Sequence, residues 1–523
     1  MKVILAGYSL DHEYVKDMAE GRWEAGCMPS PETLSAAYAR ISRYPEPVDE
    51  LRARARKDVV ASRRSNRVIV FGMGHHSVAE HVQVNFDVLG VSRLALEALE
   101  EARLCSYTEK SQRYVTLRGD FVRPAELRGE SRKLLERTAA AQVTFYRKAL
   151  PRLHERARTL HPDMDGSPRD RDTVEGWAKE DARYALGLAT EAQLGFSANA
   201  RNLEHLIRKL RHHGLAEVRE LSDRLYEAAA EVVPSLIILS DPAKFRETFG
   251  RDVSDEFLDK APGELAASSA KVMAAFGRTR GGAKQKASAG RRQAGPRAGD
   301  VTLLDHTPDP DVAVCAALLF SGSGRSLEEC LAAAGAMRRS DPDALVRFLL
   351  DSMRRLTEFD PPPRAFEAAT FTFEIELSAS AFAQLKRHRM ATIIKQPYDP
   401  GLPCTVPDGI VEVGLGDEFG KVTDQSAEAF RKARRAAGAD AAEYLLTNAH
   451  RRRVLVVCNM REVYHLARIR MDNHAQWDIR RISADLVSLV RKVAPASAAL
   501  ATGKDTFREV RDRAFHQGKG RRR

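Results

Sequence analysis

Two segments, one in each half of the chain, have side chains that could hold an anionic ligand, but the two sets differ. Residues 101–114 read EARLCSYTEKSQRY, and residues 387–400 read RHRMATIIKQPYDP. The Arg-His-Arg run 387–389 can donate to phosphate oxygens and stack on a planar ring. The Ser-Gln-Arg-Tyr run 111–114 is suited to holding an anion. Either one active site is shared between two halves, or one segment has decayed.

The phosphate-binding side chains of the first half have no equivalents in the second. Ser111, Arg113 and the more distant Arg183 can each donate a hydrogen bond to a phosphate. Their counterparts in the second half are Pro397, Asp399 and Glu443. An acidic side chain in place of an arginine repels a dianion. The loop of the second half should therefore not bind a nucleotide.

The first half in turn lacks the basic side chains that the second half has. Glu101 and Ala102 replace the arginine and histidine that open the 387–389 run, and Ala98 replaces Gln384. A basic triplet often lies on a solvated surface, but an apolar strand and Gln384 precede this one, which places it at an edge of the core. Because unselected decay would not spare one full set, we favour a single shared site.

The two segments lie in equivalent places because the chain contains an internal repeat. The pattern NxRxxxHLxR begins at Asn199 and recurs at Asn459, an offset of 260 residues. Apolar residues alternate with polar ones over residues 82–88 and 371–377, the period of a half-buried strand. Strand, short helix, loop and NxRxxxH helix thus occur twice in the same order, and most other segments have helical periodicity.

The chain is long enough, at 523 residues, for two or three domains. We place domain one at residues 1–245 and domain two at 301–523. Between them, 246–300 is a helical approach followed by a basic linker over 277–300, rich in Gly and Ala and without apolar periodicity, which predicts disorder. A basic tail ends the chain.

The net charge of +11 is concentrated in these two stretches, since the linker has seven basic residues and the tail four. The rest is near neutral, so nucleic-acid binding is disfavoured and solubility is the simpler explanation. The sequence has no apolar run long enough to span a membrane and no signal-peptide pattern. Its six cysteines are scattered without a CxxC, which predicts reduced thiols and a cytoplasmic location.

Residues 74–81, Gly-His-His-Ser-Val-Ala-Glu-His, bring three imidazoles, a hydroxyl and a carboxylate together just before a strand. Metal binding, a structural polar corner and binding of an organic ligand are all open. Metal binding is the least favoured, because the HExxH pattern is absent and anion-binding residues rather than further carboxylates accompany the segment. We therefore predict an organic ligand and no metal site.

These motifs together resemble the flavin-dependent thymidylate synthases (the ThyX family), whose signature is RHRxxSxNExSxRY. The first repeat is similar to its second part, with Ser106, Glu109, Ser111, Arg113 and Tyr114 in register. The second repeat matches the RHR alone, with Thr392 in place of the serine. GHHSVAEH, both NxRxxxH helices and LARIRMDNHAQWDIR at 466–480 also match. The resemblance spans both domains.

The resemblance implies an α+β, mainly helical fold of two tandem ThyX-like domains, each with a small antiparallel sheet flanked by helices. It implies synthesis of dTMP from dUMP with methylenetetrahydrofolate, FAD as cofactor and NADPH as reductant. Family tetramers place sites between subunits, so we expect a homodimer with pseudo-tetrameric packing. The alternative is a noncatalytic flavin- or nucleotide-binding relative.

The resemblance also implies site residues. Arg470, expected at the uracil carbonyls, would be the catalytic group. The expected dUMP-binding residues are Glu109, Ser111, Gln112, Arg113, Arg183, Gln384, Arg387 and Arg470. The expected FAD-binding residues are His75, Ser77, Glu80, Asn199, Arg201, Arg387, His388, Arg389, His465 and His474.

The NxRxxxH helix of the second repeat adds a geometric expectation. Arg461 and His465 are four residues apart, as are Arg470 and His474, so each pair would share one face of an unbroken helix. At about 100° per residue the two pairs would point in roughly opposite directions. They would then contact different ligands or different edges of one large ligand.

Overall fold

The structure, a computed structural model, describes residues 1–22, 29–252, 262–276 and 300–516. Except for Asp300, the predicted basic linker over 277–300 lies outside the described residues, and so does the basic tail. No helix within the described ranges is both long and apolar enough to cross a membrane.

Helices make up most of the described chain. The helices that precede the linker are α1 (His12–Ala19), α2 (Glu32–Arg40), α3 (Val48–Lys57), α4 (Val59–Asn66), α5 (Arg93–Leu99), α6 (Gly129–Leu160), α7 (Pro168–Ala182), α8 (Ala200–Arg211), α9 (Ala216–Ala230), α10 (Pro242–Phe249) and α11 (Pro262–Phe276). Those that follow it are α12 (Pro310–Ser323), α13 (Leu327–Ser340), α14 (Pro342–Ser352), α15 (Ala379–Leu385), α16 (Asp408–Glu412), α17 (Gly416–Ala437), α18 (Ala439–Ala442), α19 (Met460–Arg470), α20 (Trp477–Val493) and α21 (Phe507–His516).

Two small sheets accompany the helices. Their strands are β1 (Lys2–Tyr8), β2 (Gln83–Ser92), β3 (Cys105–Glu109), β4 (Glu191–Asn199), β5 (Val301–His306), β6 (Thr370–Ser378), β7 (Thr392–Lys395) and β8 (Arg451–Asn459). Each sheet has four antiparallel strands, in the orders β1-β2-β4-β3 and β5-β6-β8-β7. The same order in both confirms the predicted α+β, mainly helical fold with two small antiparallel sheets.

The central strands β2 and β6 follow the predicted alternation. Along β2, Val84, Phe86 and Val88 are buried and the residues between them are exposed. Phe86 pairs with Phe196 of β4, and the two rings stack with centroids 5.8 Å apart. Apolar side chains on one face of a twisted sheet need a covering layer, which the helices provide.

Polar side chains start the helices at the ends of these strands. Ser92 and Ser378 cap α5 and α15, each accepting from a backbone N–H three residues on. The asparagine of each NxRxxxH motif does the same, since Asn199 caps α8 and Asn459 caps α19. The first residue of that motif therefore has a structural use in both repeats.

Contacts divide the chain into two compact units, and each includes a segment of the other repeat. Unit 1 comprises Met1–Ala140, Gly187–Arg291 and Ala429–Leu445. Unit 2 comprises 141–186, 292–428 and 446–523. The predicted domains, 1–245 and 301–523, describe the sequence repeats and stay a prediction.

Each unit buries a serine, a carboxylate and a tyrosine in hydrogen-bond contact. In unit 1 Glu217 accepts from Ser92 Oγ at 2.7 Å and from Tyr444 Oη at 2.6 Å. In unit 2 Asp478 accepts from Ser378 Oγ at 2.6 Å and from Tyr184 Oη at 2.9 Å. Burial raises the pKa of both carboxyls. In both clusters the tyrosine comes from the other repeat.

Candidate functional site

The candidate site of unit 2 is organised around Arg470, the last residue of α19. Its Nη1 donates to Gln384 Oε1 at 3.1 Å and its Nη2 to the Gln384 carbonyl at 2.9 Å. Its Nε donates to His388 Nε2 at 3.2 Å. Because the guanidinium is a rigid planar fork, three contacts fix both its position and its orientation.

His388 connects this arginine to a buried carboxyl. The ring is buried, and its Nδ1 lies 2.8 Å from Glu462 Oε1. A guanidinium can only donate, so Nε2 is the acceptor and the ring proton lies on Nδ1, facing Glu462. Burial, with Arg470 beside the ring, lowers the pKa of His388 to about 3. The imidazole is therefore neutral at physiological pH.

His388, Glu462 and His465 have ligand atoms within 4.8 Å of one another, a spacing at which a metal ion could be held. The proton on Nδ1 and the contact of Nε2 with Arg470 leave His388 no lone pair for a metal. Burial also raises the pKa of Glu462, an effect that His465 opposes, so the carboxyl is a poorer ligand than an exposed one. We assign the cluster to positioning Arg470.

The amide of Gln384 has a donor that faces no protein acceptor. Its Oε1 is fixed by Arg470, so the amide orientation is determined. Its Nε2 is enclosed and donates to no residue that the structure describes. Enclosed polar groups almost always have a partner. A carbonyl of a bound ligand, next to Arg470, would supply the missing acceptor.

The other predicted residues on this side are at the surface. Arg387, Arg389 and His465 are exposed, and the His465 ring meets His388 edge-on with centroids 5.5 Å apart. The Arg-His-Arg run thus alternates between surface, core and surface. His388 holds Arg470, and its predicted contact with flavin stays a prediction.

The expected shared helix face of Arg470 and His474 is wrong, because α19 ends at Arg470. Asp472 draws the following residues into a turn, since its Oδ1 accepts from the His474 backbone N–H at 3.0 Å and lies 2.7 Å from His474 Nδ1. His474 is exposed on that turn. Arg461 and His465, four residues apart, do lie together on α19.

Arg183, a predicted phosphate ligand, belongs to unit 2 together with Gln384 and Arg470. It begins a short 3₁₀ helix, Arg183–Ala185, and its side chain is buried. Its carbonyl accepts from Asn448 Nδ2 at 2.9 Å. The backbone that carries this arginine is therefore fixed by the loop before β8.

The remaining predicted phosphate ligands, Ser111, Gln112 and Arg113, lie in unit 1 on the turn after β3. Ser111 Oγ accepts from the Arg113 N–H at 3.1 Å, which closes the turn locally. The Arg113 guanidinium lies over the Tyr114 ring, 5.5 Å from its centroid. Glu109 is the last residue of β3. The turn therefore presents a serine and an arginine side by side.

The histidine-rich segment of unit 1 forms a short 3₁₀ helix over His76–His81, preceded by Gly74 at a φ of 79°. The His76 and His81 rings pack edge-on against Phe71 and Tyr38, at 5.7 and 4.6 Å. Burial, aided by Arg201, lowers the pKa of His76. His75 and Ser77 are exposed. His76 and His81 thus make ring contacts, while the predicted ligands His75 and Ser77 face solvent.

Glu80 and Arg201 form an ion pair, with Oε1 and Nη1 2.5 Å apart. The second repeat has the same pair, since Arg461 Nη1 lies 3.2 Å from Glu367 Oε1. Asn199, another predicted flavin ligand, uses its Oδ1 to cap α8. These contacts belong to the frame that both units share.

Sequence reasoning missed Glu462, which faces His388. The signal was available, because the NxR motif continues with Asn202 in the first repeat and with Glu462 in the second. A charged residue at only one of two equivalent positions, close to an arginine and a histidine in sequence, indicates a role that is specific to that repeat.

Comparisons with known proteins show the family of this chain. The family model described as "Thymidylate synthase complementing protein" matches residues 26–235 and 302–496. UPF0159 protein Ta1429 of Thermoplasma acidophilum is 24% identical over 510 residues, covering 90% of this chain and 95% of the relative. A flavin-dependent thymidylate synthase of Geobacter sulfurreducens is 31% identical over 207 residues, 37% of this chain and 83% of that protein.

Among solved structures, a UMP/dUMP methylase PolB from Streptomyces cacaoi bound with 5-Br dUMP matches 39% of this chain and 95% of its own, at 17% identity and a TM-score of 0.33. The family model matches each repeat once and covers most of the chain. The chain belongs to the thymidylate synthase complementing protein family.

Proposed function

We propose that the protein is a flavin-dependent thymidylate synthase that methylates dUMP to dTMP. The observation that carries the proposal is the enclosed Gln384 Nε2, a donor without a described acceptor, beside the guanidinium of Arg470. Two fixed donors side by side match the carbonyls of a uracil ring. Family membership and the Geobacter relative named for this activity support the same reaction.

Arg470 is the residue we assign to catalysis. In the reaction C5 of dUMP receives a methylene from methylenetetrahydrofolate and a hydride, and it loses its own proton. Negative charge develops on the uracil carbonyls as C5 becomes nucleophilic. A cation held by Gln384 and His388 would stabilise that charge without reorganising, which is worth about 10²- to 10³-fold in rate for one donor. The neutral His388 adds no competing charge.

We assign the phosphate of dUMP to Ser111, Gln112, Arg113 and Arg183, with Glu109 nearby and Arg387 on the uracil side. The supporting observation in unit 1 is the turn that sets Ser111 Oγ next to the Arg113 N–H. The assignment of residues of both repeats to one nucleotide rests on the complementary sequences. The proposed homodimer with pseudo-tetrameric packing rests on the two repeats per chain and on the tetrameric packing of the family that the chain resembles.

Each unit has side chains that would suit parts of FAD. Exposed Arg387 and Arg389 in unit 2 suit a diphosphate, and exposed His465 lies beside them. His75, Ser77, Glu80, Asn199 and Arg201 of unit 1 and His388 and His474 of unit 2 complete the set we propose. Reduced FAD would supply the hydride, with NADPH as its reductant and methylenetetrahydrofolate as the carbon donor.

The visible spectrum of the purified protein tests this proposal first. Bound FAD gives a yellow chromophore, and titration should saturate near one FAD per chain if one complementary site per chain is live. Saturation near two would contradict the complementarity argument. Conversion of dUMP to dTMP should then require methylenetetrahydrofolate and NADPH. Flavin binding without turnover would instead favour the noncatalytic flavin- or nucleotide-binding alternative.

A further inference from the structure

Unit 2 contains a second cleft, which none of the residues assigned to dUMP or FAD lines. Its volume is about 590 Å³, within the range of small-molecule sites. The end of α6, α7, the start of α16 and the chain around the start of α20 line it. Its floor is buried and apolar at Leu153, Ala157 and Ala178, and its mouth is exposed at His161 and Asn473.

Two of the three tryptophans of the chain, Trp177 and Trp477, line this cleft. Both are half-buried and held by ring contacts. Trp177 packs on His161 with centroids 4.4 Å apart, and Trp477 stacks on Tyr184 at 5.4 Å. Fixed indoles that are still partly exposed are suited to a flat ring, because stacking on them costs little side-chain entropy.

Asp181 adds a carboxylate to the lining of this cleft. Its Oδ1 accepts from Trp477 Nε1 at 2.9 Å, which fixes the carboxylate plane. Its Oδ2 accepts no hydrogen bond within the described part of the chain. Only a glycine leaves room for this oxygen at position 409, since any Cβ there would collide with Oδ2 and press on Leu153. The cleft therefore has one oriented carboxylate, which can accept more than one hydrogen bond.

The charges around Asp181 favour donors over anions. The nearby groups are Glu180 on α7, Asp408 on α16 and Arg156 on α6, with Arg480 of α20 also lining the cleft. Arg156 is compensated, because its Nε donates to Glu412 Oε2 at 2.5 Å. Burial and the neighbouring Glu180 raise the pKa of Asp181 to about 7. A ligand with donors would relieve the crowding of negative charge that an anion would increase.

We propose that this cleft is a second ligand site, for a planar heteroaromatic ring whose edge has a ring N–H beside an exocyclic amino group, as in guanine. The ring would stack on the indoles and its two donors would face Asp181. Stacked bases read at their hydrogen-bonding edge are a general mode of base recognition. The same edge occurs in guanine nucleosides and in pterins, so either could be the source.

Calorimetric titration of the full chain with guanosine, inosine and neopterin tests the proposal. Inosine lacks the amino group and should bind at least about tenfold more weakly than guanosine, because one of the two N–H groups that would donate to the Asp181 carboxylate is missing. Preference for guanosine or for neopterin identifies the source. Binding of the preferred ligand should weaken about tenfold from pH 8 to pH 6, as Asp181 takes up a proton.

Asp181→Asn should reduce the affinity at least about tenfold, since the amide keeps its acceptor for Trp477 and turns a donor toward the ligand. Asp485→Asn, the same change at an exposed position of α20, is the control and should have no effect. If Asp181→Asn does not fold, Trp177→Phe should weaken binding and reduce the quenching of tryptophan fluorescence by guanosine. Failure of both guanosine and neopterin to bind, equal binding of inosine, or unchanged affinity in Asp181→Asn would each overturn the proposal. None of these outcomes depends on dUMP or FAD.

Discussion

Units 1 and 2 have the same frame and differ in the helix that follows their last central strand. Both α8 and α19 begin at a capping asparagine. Both also have an arginine paired with a glutamate of a 3₁₀ helix, His76–His81 before β2 and Arg364–Ala368 before β6. Beyond that frame, Glu462 and Arg470 of unit 2 stand where unit 1 has Asn202 and Leu210. The contacts that fold the repeat thus occur twice, whereas Glu462 and Arg470, which we assign to the proposed site, occur once.

The largest effect is expected when a residue of unit 1 is replaced by the residue at the equivalent position of unit 2. Arg113→Asp reproduces Asp399 and should lower dUMP affinity by at least about 100-fold, because a paired phosphate contact becomes repulsive. Calorimetric titration with dUMP measures the effect. Arg137→Asp, an equal charge reversal at an exposed position of α6, is the control. Unaltered affinity in Arg113→Asp would mean that the nucleotide is held elsewhere.

The next test asks whether residues of both repeats serve one reaction. Arg470→Ala should lower kcat by about 10²- to 10³-fold through the lost stabilisation of uracil charge, and Arg183→Ala should be comparably severe through lost phosphate binding. Lys209→Ala is the control, since its ion pair with Glu101 at the end of α8 is exposed and weak.

Independent sites in each repeat would give a different result, with each single variant retaining roughly half of the activity. Such half-activity would sink the shared-site model. In that model, mixing Arg470→Ala with Arg183→Ala should restore activity only where exchanged dimers contain an intact combination of repeats. Rates measured before and after exchange of subunits separate the two cases.

The sequence predicted those parts of the fold and site that local pattern determines. The alternation in β2 and β6 and the repeated NxRxxxH helix are local, and the structure confirms both. The burial of His388 between exposed Arg387 and Arg389 is not local, because α15 ends at Leu385 and the turn after it sets which side chain points inward. From sequence the Arg-His-Arg run forms one basic group, so the buried histidine cannot be separated from the two exposed arginines.

The exchange of tyrosines was also beyond the sequence. Tyr184 and its acceptor Asp478 are 294 residues apart, and Tyr444 lies 227 residues from Glu217. A repeat predicts that each copy packs on itself, so sequence alone would have paired each tyrosine within its own repeat. Only the three-dimensional contacts show that each buried carboxylate takes its tyrosine from the other copy.

This pair of clusters gives a matched stability test. Tyr444→Phe removes one donor from Glu217, which still accepts from the N–H and the hydroxyl of Ser92, and should cost about 1 to 2 kcal/mol. Tyr184→Phe should cost more, about 2 to 4 kcal/mol, because Gln476 also loses the acceptor that its Nε2 uses at 2.7 Å. Urea unfolding measures both, with Tyr44→Phe as the exposed control. Equal costs would mean that Gln476 finds another acceptor.

The smallest expected effect is on the pH dependence of stability. It concerns a position at which unit 1 has a glutamate and unit 2 has a tyrosine. Glu204 of α8 is buried and accepts from the Leu239 N–H at 2.6 Å, and burial raises its pKa to about 8. The equivalent Tyr464 of α19 donates to the Ser497 carbonyl at 2.7 Å. Both side chains thus hold the chain that follows the next helix, but only the carboxyl changes charge near neutral pH.

The sign of the pH effect follows from the raised pKa of Glu204. Below about pH 4.5 the carboxyl is protonated in the folded and unfolded states alike, so its folded-state burial costs least there. As pH rises toward 8 the unfolded chain ionises this group while the folded chain still holds the proton, and stability falls.

Glu204→Gln keeps an acceptor for Leu239 and removes the titration. The variant should match the native protein near pH 5 and exceed its stability at pH 9 by at least about 1 kcal/mol, the equivalent of one unit of pKa. Tyr464→Phe should instead destabilise equally at both values of pH, since the tyrosine stays protonated throughout. Urea midpoints at pH 5 and 9 decide the matter, and a Gln variant that keeps the native pH dependence would show that Glu204 is already ionised in the folded protein.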